Sequence, residues 1–217
     1  MGLESGLFGE AAREADVLEP DRPKPMHAPE TRDAARNALE ALRAGSVASV
    51  ELCNGLILVD APRPGRLYLS GSFNPLHRGH TSLLEAAAAL RPGMEPCFEL
   101  SVGNADKGML EVDEVWRRME QFAEARLPVV VTQAPLFTEK AALFPNSCFV
   151  VGFDTAKRLL DPKYYPQKPM EQQLSELSHA GCSFLVAPRL SADAGDVQGL
   201  ADLIVPRNLQ DAVRISC

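Results

Sequence analysis

The sequence predicts a doubly wound α/β domain, a parallel sheet with helices on both faces, from about residue 66 onward, preceded by a small helix-hairpin extension. Three observations predict it. From Arg66 on, apolar runs alternate with helical patterns. Those runs are apolar throughout instead of at every second residue, as strands buried on both faces require. Over 217 residues, 46% hydrophobic and 24% charged residues are ordinary globular values, enough for one well-buried domain and short for two.

Each element follows from its own pattern. Residues 1–29 hold Pro20, Pro23, Pro25 and Pro29 among charges and read as a mobile arm. Residues 30–65 form the extension. Thr31 is a candidate cap for a helix over ETRDAARNALEALRAG, with Ala35, Leu39 and Leu42 on one face and Gly45 as its stop. VASVELCNGLILVDAP reads as two short strands around Asn54-Gly55, a dipeptide suited to a type I′ turn. Pro62-Arg63-Pro64-Gly65 breaks the chain before the next strand.

Residues 66–217 form the main domain. RLYLSGSF is a strand, and HTSLLEAAAALR a helix burying Leu83, Leu84, Ala87 and Ala88. CFELSVG is a strand; VDEVWRRMEQFAEA is a helix with Val112, Val115, Met119 and Phe122 at helical spacing. Trp116 is read as packing on the sheet, and Arg117 and Arg118 as solvated. PVVVTQ and SCFVVGFD are strands, the latter followed by a helix at TAKRLLD. A helix over 169–180 and a strand at CSFLVAP follow.

Charge and cysteines narrow the function. A net charge of −7, from 22 Lys and Arg against 29 Asp and Glu, argues against a general nucleic-acid binder, which needs a basic field. Local donors can still hold a small anion. Five scattered cysteines without a CxxC pair, and isolated His27 and His179, lack metal-ligand spacing and suit free thiols in a reducing compartment. No apolar run approaches the roughly 20 residues of a membrane span, and the acidic start has no signal core. The expectation is a soluble intracellular protein, cytoplasmic by default, with a homo-oligomer or larger assembly left open.

The chemistry concentrates in GSFNPLHRGH, residues 71–80. In open α/β sheets ligands bind outside the carboxyl ends of the strands, and this segment follows the first strand of the parallel series. Gly71 and Gly79 allow close approach, and a helix start near Thr81 attracts an anion. Two imidazoles at i and i+3 can project from that start toward one point. Together these features describe a phosphate cradle.

The segment resembles the signature Gly-x-Phe-(Asp/Asn)-Pro-x-His-x-Gly-His of the nucleotidylyltransferase superfamily, and within it the nicotinamide/nicotinate mononucleotide adenylyltransferase branch. The likeness extends through NADKG (104–108), VVGFDTAKRLLDPKYY (150–165) and GCSFLVAPR (181–189), and it is similar to a plant and algal subgroup. It implies a Rossmann-like nucleotidylyltransferase fold and transfer of a nucleotidyl group from ATP to a phosphorylated acceptor, with pyrophosphate released and Mg²⁺ accompanying the ATP. His77 and His80 would donate to the α- and β-phosphates. The backbone of Gly71, Ser72 and Phe73 would line the nucleotide, Gly79 would lie under its adenine side, and Asp154 would contact it near the sheet edge; as read from the residues, Asp154 is equally a helix cap. Asn104 and Lys107 fall in the loop after CFELSVG, at the same edge, where Lys107 can pair with substrate or triphosphate.

The family normally closes with Ile-Ser-x-Thr-x-x-Arg, and here Arg214-Ile215-Ser216-Cys217 matches only its first two residues. The domain is therefore read as C-terminally truncated, with weak or no catalysis expected. A transferase for another acceptor or using CTP, and a catalytically silent relative with a structural or regulatory role, remain as alternatives.

Overall fold

The computed structural model describes residues 29–61, 63–104, 108–165, 168–190, 197–199, 202–203, 205 and 213–215. The predicted arm lies outside these residues except for Pro29. Helix α1 (Pro29–Arg43) buries Ala35, Leu39 and Leu42, the predicted stripe. It starts ahead of Thr31, so that residue is not its cap but a buried member of its first turn. Gly45, at φ +74°, ends it in a Schellman motif: its N–H donates to Leu42 O, and the Ser46 N–H to Ala41 O.

Strands β1 (Ser49–Cys53) and β2 (Leu56–Val59) form the hairpin, turning at Asn54 and Gly55 with φ of 51° and 77°. Both values are positive, as a type I′ turn demands. Then come β3 (Leu67–Ser70), α2 (Arg78–Leu90), β4 (Pro96–Ser101), and the ribbon β5 (Gly103–Asn104) with β6 (Gly108–Met109). Next are α3 (Val112–Ala125), β7 (Val129–Thr132), α4 (Phe137–Leu143), β8 (Cys148–Gly152), α5 (Phe153–Leu159) and α6 (Met170–His179). The chain continues through β9 (Ser183–Ala187), the ribbon β10 (Arg189–Leu190) with β11 (Val197–Gln198), and β12 (Val213–Ile215).

The main sheet runs β12-β9-β8-β3-β4-β7-β1-β2. Its first six strands are parallel, and the hairpin adds two antiparallel strands through β1 on β7. The chain winds outward from β3 to β4 and β7, then crosses back to β8 on the other side of β3. Strand order therefore reverses between β3 and β8, the switch point of a doubly wound fold. The architecture is Rossmann-like. The hairpin is continuous with this sheet. Arg66, just ahead of β3, places Nη1 2.9 Å from Glu51 Oε1 in β1, and both residues are buried.

Helices cover both faces, which is why the strands carry no alternation. On one face, Ala35, Leu39 and Leu42 of α1, Leu84 and Ala87 of α2, and Val115, Trp116, Met119 and Phe122 of α3 pack on Leu67, Leu69, Phe98, Leu100, Val129 and Val131. On the other, α4, α5 and α6 bring Ala141, Ala156, Leu159, Leu174 and Leu177 against Tyr68, Val130, Phe149, Val151 and Phe184. Several boundaries differ from the sequence reading, among them β3, which ends at Ser70 where the reading carries strand to Phe73. Phe153 is not strand; it begins α5 and buries its ring against the core. Phe137–Leu143, to which the pattern assigns nothing, is α4. Cys53, Cys97, Cys148 and Cys182 are free thiols. No helix among the described residues is long and apolar enough to cross a membrane.

Candidate functional site

Strand β3 lies at the centre of the parallel sheet, and residues 71–77 leave its carboxyl end for α2. The Gly71 N–H donates to Glu99 O at 3.0 Å, extending the ladder between β3 and β4 by one residue. The chain then turns at Phe73, whose φ is +47°. Its ring is 2% exposed and meets Phe98 and Phe122 edge-on, with centroids 5.3 and 5.2 Å away. Phe73 is therefore the anchor of the loop, driven into the core by the apolar area it removes from water. Gly71 is required beside it. A Cβ there would sit 2.8 Å from Cε1 and Cζ of that ring.

The two histidines stand at the start of α2. His77 precedes the helix with extended backbone, φ −144° and ψ 167°. His80 lies one turn on, and its N–H donates to His77 O at 2.9 Å. The rings stack, centroids 3.7 Å apart and planes 20° from parallel. The His77 N–H donates to His80 Nδ1 at 3.3 Å. An accepting Nδ1 leaves the proton of the neutral ring on Nε2, as a donor. Burial, and then the neighbouring His77, lower the His80 pKa below the usual histidine value, which favours that neutral form. Gly79 makes room between them, since a Cβ there would lie 3.1 Å from Cε1 and Nδ1 of His77.

Helix α3 holds the loop from the side. Arg118 Nη1 donates to Ser72 O at 3.0 Å and Arg117 Nη2 to Asn74 Oδ1 at 2.6 Å. Gln121 Nε2 donates to Phe73 O at 3.2 Å, while its Oε1 accepts from the Leu76 N–H at 2.8 Å. Hydrogen bonds from Arg117 and Arg118 hold the Glu114 carboxyl down to about 2, so it stays charged and steadies both guanidinium groups. Sequence reasoning misses this clamp and reads both arginines as solvated. For Arg118 the structure corrects that: it is 8% exposed. A signal existed, because Arg118 falls among Val115, Met119 and Phe122 on the apolar stripe, where an unpartnered charge would be costly.

Behind the loop, on the face covered by α4, Glu99 is fully buried. Its Oε1 accepts from Lys140 Nζ at 2.6 Å and from Thr132 Oγ1 at 2.8 Å. The buried pair ties α4 to the sheet near the carboxyl end of β4.

Asp154 occupies the first turn of α5, after the adjacent strand β8, so it shares the switch-point edge with the histidines. The cap of that helix is Gly152, so a capping role for Asp154 does not hold. Its carboxylate pairs with Arg189, both side chains being exposed. Asn104 lies in β5 beyond the end of β4, paired through its backbone with Gly108. Lys107 lies outside the described residues, as do Ser216 and Cys217. Arg214 and Ile215 belong to β12, parallel to β9 at the far edge of the sheet. A cavity of about 390 Å³ between α1 and α3 contains neither histidine. Its charges, Arg36, Glu40, Arg43, Glu111 and Asp113, pair with one another.

The fold is thus a Rossmann-like α/β unit with a compact donor cluster at its switch point. The chain is similar to a Schizosaccharomyces pombe protein provisionally named nicotinamide mononucleotide adenylyltransferase, with 30% identity over 151 residues. The match takes in 64% of this chain and 57% of the relative, so the chain spans little more than half the length of the curated relative it matches. No family model matches the chain, and no solved structure matches it.

Proposed function

We propose that this chain is a nucleotidyltransferase that joins nicotinamide or nicotinate mononucleotide to the adenylyl group of ATP and releases pyrophosphate. The observation that carries the reading is the His77–His80 stack at the start of α2, beside the strand reversal between β3 and β8. The name of the yeast relative supports the same chemistry.

In this reading, an oxygen of the mononucleotide phosphate attacks the α-phosphorus. The bond from that phosphorus to the oxygen bridging toward the β-phosphate breaks, and pyrophosphate leaves with the electron pair. A phosphate nucleophile is already ionised at neutral pH, so the site needs no strong base. The protein's task is to hold both reactants and to stabilise charge on the phosphoryl oxygens. His80, neutral and protonated on Nε2, and His77 supply donors to the α- and β-phosphates. The start of α2 adds its dipole to the same point. Magnesium enters bound to the triphosphate as part of the substrate, an ion that takes few protein ligands in such complexes. The backbone of Gly71, Ser72 and Phe73 lines the nucleotide together with Gly79, Asp154 contacts it from the neighbouring strand end, and Asn104 and Lys107 are the residues assigned to the substrate phosphates.

The test is pyrophosphate release and dinucleotide formation by the purified chain with Mg-ATP and each mononucleotide. His77→Ala and His80→Ala should each lower turnover by about 10²- to 10³-fold, the usual consequence of losing one preorganised donor. Turnover undiminished in both variants would overturn the reading. Turnover with CTP or another phosphorylated acceptor would keep the transfer chemistry and reassign the substrate.

A further inference from the structure

We propose that Gln121 is a positioning residue that braces both ends of the turn at residues 73–76 and so sets where the His77–His80 pair stands. The inference rests on the reading of that pair as the phosphate-gripping element.

In an unassisted four-residue turn, the carbonyl of the first residue accepts from the N–H of the fourth. Here those groups are Phe73 O and Leu76 N–H, and the carboxamide of Gln121 binds both. Its Nε2 donates to Phe73 O at 3.2 Å and its Oε1 accepts from Leu76 N–H at 2.8 Å. A carboxamide offers a donor and an acceptor on one rigid plane, which a carboxylate or an apolar side chain does not. Nε2 also reaches Arg118 O, at 3.3 Å, which fixes the side chain against its own helix. Arg117 and Arg118 each grip one group of the loop; among the described residues Gln121 holds both ends of the turn.

The support beneath Gln121 is stiff, because Met119 and Phe122 beside it in α3 are completely buried. Its load lies next to the histidines. Leu76 is followed by His77, whose N–H donates to His80 Nδ1. A path of direct contacts thus runs from α3 through Leu76 to both imidazoles. The placement of the pair is registered on α3, across the sheet face, as well as on the helix that carries the histidines.

The experiment compares wild type, Q121M and Q121E by two readouts, the ring NMR signals of His77 and His80 and the affinity for Mg-ATP. Q121M removes both bonds and should shift the ring signals and weaken Mg-ATP binding by about tenfold or more, since small misplacements of a positioned group are costly. Q121E should resemble Q121M at about pH 8, where its carboxylate cannot donate to Phe73 O. It should return toward wild type as the pH falls below the ordinary glutamate value of about 4.3, when measured against wild type at the same pH, because a protonated carboxyl again offers a donor and an acceptor. A purely structural glutamine would not produce that acid rescue. Ring signals of the wild-type kind in Q121M, or in Q121E at the higher pH should Q121M fail to fold, would overturn the proposal. Shifted rings in a protein whose wild type takes up no Mg-ATP would uphold the positioning role and remove the nucleotide reading instead.

Discussion

The imidazoles of His77 and His80 lie face to face at 3.7 Å, and the edge of the Phe73 ring packs against His80 at 5.1 Å. Partial burial disfavours the charged form of His80, and the His77 ring stacked on it adds to that effect.

That geometry gives a pH dependence with a definite sign. The folded His80 pKa lies below its unfolded value of about 6.5, so the folded state binds fewer protons in the window between them. The associated stability is present above the unfolded value and is lost as pH falls through the folded one. The urea midpoint should therefore drop between about pH 7.5 and pH 5.5, and His80→Gln should remove part of that drop. A ring-proton titration placing His80 at or above the ordinary value would contradict this.

Gly71 in the loop and Gly79 in α2 should respond oppositely to alanine. Gly71→Ala forces a Cβ to 2.8 Å from the Phe73 ring, which is pinned between Phe98 and Phe122 and cannot yield. The expected cost is about 1–3 kcal/mol by chemical denaturation. Gly79→Ala lies in α2, where alanine is favoured by about 1 kcal/mol. Its Cβ meets only the exposed His77 ring, at 3.1 Å. Stability should stay level or rise, while the His77 ring signals move and turnover falls.

Lys140→Met strips the buried Glu99 carboxylate of its cation, leaving Thr132 as its partner. A loss of about 3–5 kcal/mol is expected in urea unfolding. Adding Glu99→Gln removes the stranded charge and keeps an acceptor for Thr132, so the double variant should regain most of that loss. A double variant no more stable than Lys140→Met would refute the buried-pair account.

The Asp154–Arg189 pair is exposed on both sides. Arg189→Ala and Asp154→Asn should therefore each change stability by less than about 1 kcal/mol. If Asp154 contacts the nucleotide as proposed, Asp154→Asn should still raise the KM for one of the two substrates. Unchanged kinetics would remove Asp154 from the site.

Much of the fold is legible in the order of residues. The Asn54-Gly55 hairpin, the Gly45 stop and the uninterrupted apolar runs each depend on residues close together in the chain, where turn chemistry and burial leave few choices. The edge strand β12 is not legible, because three residues at a sheet edge carry no pattern until β9 is there to pair with them. Phe73 is legible only as part of a motif. Its role as a core anchor depends on Phe98 and Phe122, which arrive from other elements.

By itself, then, the sequence determined the alternation of the main strands and helices other than α4 and β12, the double winding and the position of two histidines at one strand–helix junction, because each is a matter of local periodicity and spacing. Only the tertiary structure decided how those histidines are held. Gln121, Arg118 and Arg117 lie 43 to 48 residues from the groups they bind. Hydrogen bonds over that separation exist only after the sheet has brought α3 alongside the loop, and no pattern of neighbours along the chain encodes them.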